Sequence, residues 1–383
     1  MGVGAELELI PFDAEEGLPV PIEAAAGIQS LSVIRSVARH ARWAEIAADG
    51  DPPSWSMPDG GRVSFEPGGQ IELSSATSPT ASELIRDLRC ASELLTSSFE
   101  REGMILEAVG VDPFNDIVDV GLQLHRPRYQ RMTRYFDSIG ESGARMMRQS
   151  ASLQISVESG PKPDERWALL NSLAPYVTAI FASSAVYAGE ATSHRSYRAH
   201  LWRTLDTTRT GLPVDTDDPA GAYLEFALCA GAMMHGTGAP YSSFAEWMRT
   251  GDPTMQDWNF HLTTLFPEVR PRGYFELRSA DAIASKHLAA PISFVVGLIY
   301  HETTSRAAAD LLGSPDVSTL EIAGCAGLSD SAIHETALEL TDLALAGCES
   351  LGDGYISAAD LDSAADFFDG YTRQGRSPGD DWR

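Results

Sequence analysis

Four short segments in which apolar and polar residues alternate constrain this chain more than any other feature: 3–10, 62–75, 151–158 and 273–279. Leu7 and Leu9 alternate with Glu6 and Glu8, and Ile71 and Leu73 with Gln70 and Glu72. Leu153, Ile155 and Val157 alternate with Gln154, Ser156 and Glu158; Phe275 and Leu277 alternate with Glu276 and Arg278. A period of two describes an extended strand with one face for a core and the other for something polar. A half-exposed antiparallel sheet is the ordinary result, with a solvated outer face of mixed charge. Among the polar positions just named, Glu and Gln dominate, with a single Arg. If the strands share a sheet, Glu6, Glu8, Glu66, Glu72 and Glu276 converge. Like charges gathered in one place are costly unless something positive holds them. No lysine lies in these strands, so a divalent cation is expected, and all-oxygen ligands select Mg²⁺ or Mn²⁺ over zinc.

Between the strands the periodicity is helical, over 27–48, 80–102, 127–147, 165–188, 219–235, 281–313, 330–350 and 358–370. Stretches 49–61, 159–164 and 211–221, rich in Pro, Gly and Asp, read as loops, and 373–383 as a frayed polar tail. None is long enough for a linker. The expectation is therefore one α+β domain spanning 1–383, with core motifs in 1–281 and a helical part in 282–372.

A formal net charge of −26 argues against nucleic acid as a partner, because that role needs a basic surface that releases counterions. It leaves room for an anionic small substrate. Cys90, Cys229, Cys325 and Cys348 form no C-x-x-C pair and read as buried, reduced thiols. The apolar run Leu288–Tyr300 is too short to span a bilayer. Residues 1–10 carry no basic, signal-like segment, so no membrane and a cytoplasmic location are expected. The nine histidines, His40, His125, His194, His200, His235, His261, His287, His301 and His334, show no metal-site spacing. No Walker-A loop, nucleophile elbow or Rossmann glycine run is present, which leaves metal and arginine to hold any phosphate.

The most specific local motif is Ser64-Phe65-Glu66-Pro67-Gly68-Gly69-Gln70-Ile71-Glu72-Leu73-Ser74, two carboxylates flanking a Pro-Gly-Gly bend. With it come Gly4-Ala5-Glu6-Leu7-Glu8 and the run Arg145-Met146-Met147-Arg148-Gln149-Ser150-Ala151-Ser152-Leu153-Gln154-Ile155. Arg195-Ser196-Tyr197-Arg198-Ala199-His200-Leu201-Trp202 follows, continuing to Asp206 and Arg209-Thr210-Gly211, and then Tyr274-Phe275-Glu276-Leu277-Arg278-Ser279-Ala280-Asp281. In this order the segments resemble the glutamate–cysteine ligase family in its plant-type and actinobacterial branch.

The resemblance implies a glutamine-synthetase-like or guanido-kinase-like fold, a curved antiparallel sheet whose concave face holds ATP, metal and amino acids. It implies phosphorylation of the side-chain carboxylate of L-glutamate by ATP, then attack by the amine of L-cysteine. The γ-glutamylcysteine formed would feed glutathione or ergothioneine. By the same resemblance Glu6, Glu8, Glu66, Glu72 and Glu276 are the metal ligands, and Gln154 faces metal and nucleotide. Arg278 contacts the phosphoryl group in the transition state, and Arg148 and Arg198 pair with substrate carboxylate. Gln70, Trp202 and Arg209 lie in family motifs without an assigned role. Ser156 stands where many relatives carry asparagine, and the cysteines do not match the plant branch's redox disulfides. Three other readings compete. One is a same-fold ligase joining glutamate to a different amine; another is a guanido-kinase-like phosphotransferase, which the Glu-Pro-Gly-Gly-Gln segment disfavours. The third is a non-catalytic binding homologue, disfavoured by the retention of all five carboxylates. Oligomeric state is not encoded in these motifs.

Overall fold

A computed structural model describes residues 1–48, 50–213, 218–233 and 242–382. His235, parts of the 211–221 loop and the 219–235 helix, and the last residue of the tail lie outside the described residues. A nine-stranded sheet organises the chain. Its strands are β1 (Val3–Asp13), β2 (Ala44–Ile46), β3 (Ser54–Ser56), β4 (Arg62–Phe65), β5 (Ile71–Ser74), β6 (Met104–Glu107), β7 (Ser152–Glu158), β8 (Val269–Pro271) and β9 (Tyr274–Asp281). Their order is β8-β9-β7-β1-β5-β4-β3-β2, with β6 paired to the far end of β1, and every pairing is antiparallel. The α+β expectation holds, and the four alternating segments all fall in this one sheet.

The segment 62–75 is two strands rather than one. β4 and β5 form a hairpin whose bend is Pro67-Gly68-Gly69, closed by Glu66 N–H donating to Gln70 O (2.8 Å). Gly69 takes a φ of +95°, a conformation an L side chain resists.

The apolar face of the sheet is the core. Val3, Ala5, Leu7, Leu9, Ile71, Leu73, Leu153, Ile155 and Leu277 are all buried, and helices pack over them. Helix Ala81–Arg101 starts where the Thr80 hydroxyl accepts from Glu83 N–H, and it buries Leu84, Ile85, Leu88, Leu95 and Phe99 at three- and four-residue spacing. The apolar run noted above is helix Ala289–Tyr300, in which eleven consecutive residues from Ala289 to Ile299 are buried. It crosses helix Ser331–Leu351 at a glycine contact. A Cβ on Gly297 would lie 2.0 Å from Ala344 O, and one on Gly347 would lie 2.1 Å from Gly297 O. This run is therefore the centre of the core, and no described helix is long and apolar enough to cross a membrane.

Other expectations shift where tertiary packing intervenes. The 127–147 stretch breaks into helices Pro127–Asp137 and Ser142–Gln149 at Gly140. The 27–48 stretch is helical only over Ser30–Ala41, after which Arg42 takes a left-handed conformation and β2 begins. Beyond Asp281 the 281–313 stretch is a 3₁₀ turn and two helices, Ala289–Tyr300 and Glu302–Leu312. The described part of the tail does not fray. Pro378–Trp382 is a 3₁₀ turn in which Gly379 N–H donates to Ala182 O (2.8 Å) and Asp380 pairs with Arg195. The Trp382 ring lies 5.8 Å from that of Phe114. All four cysteines are free, but only Cys348 is buried; Cys90, Cys229 and Cys325 are exposed on helices, contrary to the expectation of buried thiols.

Candidate active site

The polar face of β1, β5, β7 and β9 floors a cavity of about 190 Å³. Register decides the neighbours. Glu8 stands opposite Glu72, and Glu72 opposite Ser64. Glu6 stands opposite Gln154, Glu276 opposite Ser156, and Arg270 on β8 opposite Glu276. Glu66 enters from the first position of the Pro-Gly-Gly bend. Bonds fix most of these side chains. Glu8 Oε2 accepts from Ser152 N–H (2.6 Å) and Oγ (3.0 Å). Glu72 Oε1 accepts from Ser74 Oγ (2.9 Å) and Ser64 Oγ (3.1 Å). Arg278 Nη1 donates to Gln154 Oε1 (2.6 Å) and Glu276 Oε2 (2.7 Å), and Arg270 Nη2 reaches the same Glu276 oxygen at 2.7 Å.

The roof is apolar. Helices Pro127–Asp137, Ser142–Gln149 and Tyr197–Leu205 bring Tyr129, Met132, Met146, Met147 and Trp202 over the floor, joined by Phe266. Trp202 is held by its Nε1–H donating to Phe266 O (3.0 Å). The bend is pinned to the roof: a Cβ on Gly68 would lie 1.9 Å from Arg148 O. Gln70 ties the two together by donating from Nε2 to Ser150 O (2.8 Å) while its Oε1 accepts from Gly68 N–H (2.9 Å).

The cavity is electrically polarised. At its negative end burial, then the neighbouring carboxylates Glu72 and Glu276, push Glu6 up to about 7. Burial also raises Glu66 well above the carboxylate range, reinforced by Glu72 and Glu8, and raises Glu72, reinforced by Glu8. Glu8 rises through burial despite Arg198 and the Ser152 bonds. At the other end the balance reverses. Burial favours the neutral form of Glu276, but Arg278 and Arg270 together hold it below the ordinary value. Burial and Arg278 push the Arg270 guanidinium down to about 10. Burial and mutual repulsion thus dominate at Glu6, Glu66 and Glu72 despite Arg128, Arg270 and Arg278, whereas Glu276 is dominated by its guanidinium neighbours.

A sequence profile of glutamate–cysteine ligase family 2 matches residues 2–363. The chain belongs to the glutamate–cysteine ligase family. The glutamate–cysteine ligase EgtA of Mycolicibacterium smegmatis is 31% identical over 362 residues, which cover 90% of this chain and 82% of that one. The chloroplastic glutamate–cysteine ligase B of rice (Oryza sativa subsp. japonica) is 28% identical over 81% of this chain, which spans only 64% of the rice protein's length. Among solved structures, a Francisella tularensis glutamate–cysteine ligase in complex with AMP superposes with a TM-score of 0.55. It covers 99% of this chain and 83% of its own at 13% identity, a likeness of fold.

Against that family, the residues anticipated from sequence divide. Glu6, Glu8, Glu66, Glu72, Gln154 and Arg278 all line the cavity of this ligase-family chain. Glu276 does not; it lies behind Arg270 and Arg278 as their shared anion, with Oε1 buried and without a hydrogen-bond partner. Arg148 also departs from expectation. Its backbone abuts Gly68, and its side chain turns away to donate to Val120 O (2.8 Å). Arg198 is buried outside the lining, bonded to Arg278 O and paired with Asp281. Arg209 is fully buried and structural: it pairs with Asp206 (2.7 Å), donates to Thr264 O and Gly231 O, and stacks on Tyr135. Gln70 and Trp202 line the cavity.

Two arginines at the cavity escaped the sequence reading, Arg128 and Arg270. Arg270 had a signal: Val269-Arg270-Pro271 alternates like a strand and is joined to β9 through Gly273, which has a φ of +81°. Arg128 had none, since one of three arginines in an amphipathic helix, with Arg131 and Arg134, reads as solvated.

Proposed function

We propose that this chain ligates the γ-carboxylate of L-glutamate to the amine of L-cysteine at the expense of ATP, forming γ-glutamylcysteine for a low-molecular-weight thiol such as glutathione or ergothioneine. The polarised cavity carries this reading: a carboxylate-lined end for cations beside a guanidinium-lined end for anions is what phosphoryl transfer between two anions requires. The family profile and the name of the M. smegmatis relative supply the substrates.

The donor set at the negative end fits Mg²⁺ or Mn²⁺. Glu6, Glu8, Glu66 and Glu72 present oxygen only; burial raises all four, and neighbouring carboxylates add to it at Glu6, Glu66 and Glu72. Among the described residues no three of His, Cys, Asp and Glu stand together as a group that could hold a metal ion by themselves. An ion here would therefore complete its coordination with phosphate oxygens, as Mg²⁺ ordinarily does in phosphoryl-transfer sites. When bound, it would neutralise phosphate charge. A cavity of about 190 Å³ is below the roughly 300 Å³ usual for a whole ligand, so in this form it suits a phosphate tail or an amino acid.

In the first step an oxygen of the glutamate γ-carboxylate bonds to the γ-phosphorus of ATP and the bond to ADP breaks. Arg278, already aligned by Gln154 and Glu276, stabilises the charge on the phosphoryl oxygens in flight. In the second step the amine nitrogen attacks the acyl carbon, phosphate departs and the amine loses a proton. The roof residues Tyr129, Met132, Met146, Met147, Trp202 and Phe266 keep water from the acyl phosphate between the steps. A cytoplasmic location suits an ATP-consuming protein with four free thiols.

The test is ADP release with ATP, glutamate and a panel of amines, read by mass spectrometry. Cysteine-dependent γ-glutamylcysteine supports the reading. An amide with a different amine would correct the acceptor, and glutamate-independent ADP release would refute the reaction.

A further inference from the structure

β9 changes register between Leu277 and Ala280, where three steps along β9 match two along β7. Such a bulge inverts the parity of the strand beyond it. Ala280 pairs with Leu153 and joins the core, while Asp281 pairs with Ser152, a residue of the cavity floor. Plain alternation would have put Asp281 on the apolar side. Instead it is buried on the side that bears the site, against Gly110, whose Cβ would lie 2.4 Å from the Asp281 carboxyl carbon.

There Asp281 gathers one network. Its Oδ2 accepts from Ser183 N–H (2.9 Å) and Ser184 Oγ (2.7 Å), and its Oδ1 accepts from Ser196 Oγ (2.9 Å). Arg198 Nη1 lies 3.8 Å from the same Oδ1. Arg198 in turn donates from Nη2 to the carbonyl oxygen of Arg278 (2.9 Å), and its guanidinium sits 4.6 Å from the centre of the Trp202 ring. Its charge also stands against Glu8. Floor and roof are thus both linked to one carboxylate that does not line the cavity.

We propose that Asp281 is a positioning residue of the ligation, holding Arg198 so that Arg198 fixes the backbone of Arg278 and the ring of Trp202. This rests on the reaction proposed above. The reasoning is that Arg278 must reach charge that exists only in transit, and misplacement of a reacting group by about 1 Å can cost about 10²-fold in rate. Asp281 needs its charge to hold Arg198 and its small size to clear Gly110. An amide of the same shape loses the first while keeping the second.

The experiment uses the full chain, steady-state kinetics and circular dichroism. Product formation by the wild-type protein tests the reaction; the variants test Asp281 separately. Asp281→Asn is expected to lower kcat about 10-fold or more, with KM for ATP and glutamate within about 3-fold of wild type. In an Arg198→Met background the same substitution should change kcat by less than about 2-fold, because residues acting as one unit are not additive. A merely structural aspartate would lower thermal stability equally in both backgrounds and leave kcat of the folded protein alone. Folded Asp281→Asn with kcat within about 2-fold of wild type overturns the proposal, as does a full additional loss on top of Arg198→Met. Should Asp281→Asn not fold, Arg198→Met alone decides, because the effect of Asp281 is routed through Arg198. A lowered kcat at unchanged KM supports the proposal and an unchanged kcat overturns it.

Discussion

The carbonyl oxygen of Arg148 occupies the place where a side chain on Gly68 would begin, 1.9 Å from its ideal Cβ. The bend that carries Glu66 therefore docks under the helix that carries Met146 and Met147 only because residue 68 has no side chain. Backbone on the other side of the contact leaves no flexible tip to move aside. Gly68→Ala should cost about 1–3 kcal/mol of stability from overpacking. It should also lower kcat by more than Tm alone would suggest, since the bend and roof must part. Thermal melts paired with kinetics check this; a variant with wild-type Tm and kcat would show that the two segments are not in contact.

Arg278 is the second test. Gln154 and Glu276 hold its Nη1 in place before any ligand arrives, so little reorganisation is left for the reaction. Arg278→Ala, and also Arg278→Lys, should reduce kcat by on the order of 10²-fold with small changes in KM, because a point charge does not replace the planar fork. Near-wild-type turnover in a folded variant would remove Arg278 from the chemistry.

Dependence on a divalent cation follows from the charge imbalance at Glu6, Glu8, Glu66 and Glu72. Turnover should vanish in excess chelator, return with Mg²⁺ or Mn²⁺, and not return with Zn²⁺ alone. Mg²⁺ with ADP should raise Tm by binding the folded state alone. Glu72→Gln or Glu66→Gln should raise the Mg²⁺ concentration needed for half-maximal turnover. Normal behaviour of both variants at limiting metal would place the ion elsewhere.

His261, which is not among the residues lining the cavity, gives a pH signature of its own. It is buried, its Nε2–H donates to Ala227 O (2.8 Å), and its Nδ1 has no partner. Burial pushes it down to about 4, from an ordinary 6.5. The unfolded chain binds the proton first, so stability is full above about pH 6.5 and is lost as pH falls toward about 4. The loss is about 3 kcal/mol, from roughly 1.4 kcal/mol for each pH unit of difference. His261→Gln, which can keep the bond to Ala227, should flatten this acid limb. Urea melts at pH 7.5 and 4.5 read it; an unchanged difference between the two pH values would assign the acid sensitivity to other groups.

What could be read in the sequence was whatever repeats over a few residues. Alternation in 3–10 and 151–158 identified Glu6, Glu8 and Gln154 as neighbours on one face, because successive Cβ atoms of a strand point to opposite sides regardless of context. The Pro-Gly-Gly bend was legible for the same local reason. The aims of the arginines were not. Arg148, Arg198 and Arg278 look alike in sequence, yet one turns to Val120 O, one is buried on Asp281 and one lines the cavity. A guanidinium goes where distant carbonyls and carboxylates satisfy it, and those partners meet only when the sheet and its helices are assembled. Glu276 was placed on the right face, but its pairing with Arg270 is set by the register of β8 against β9. The bulge before Asp281 shows the limit most directly. Alternation carries a residue to the correct face until one extra residue enters the strand, and only the pairing of β9 with β7 decides where that residue goes.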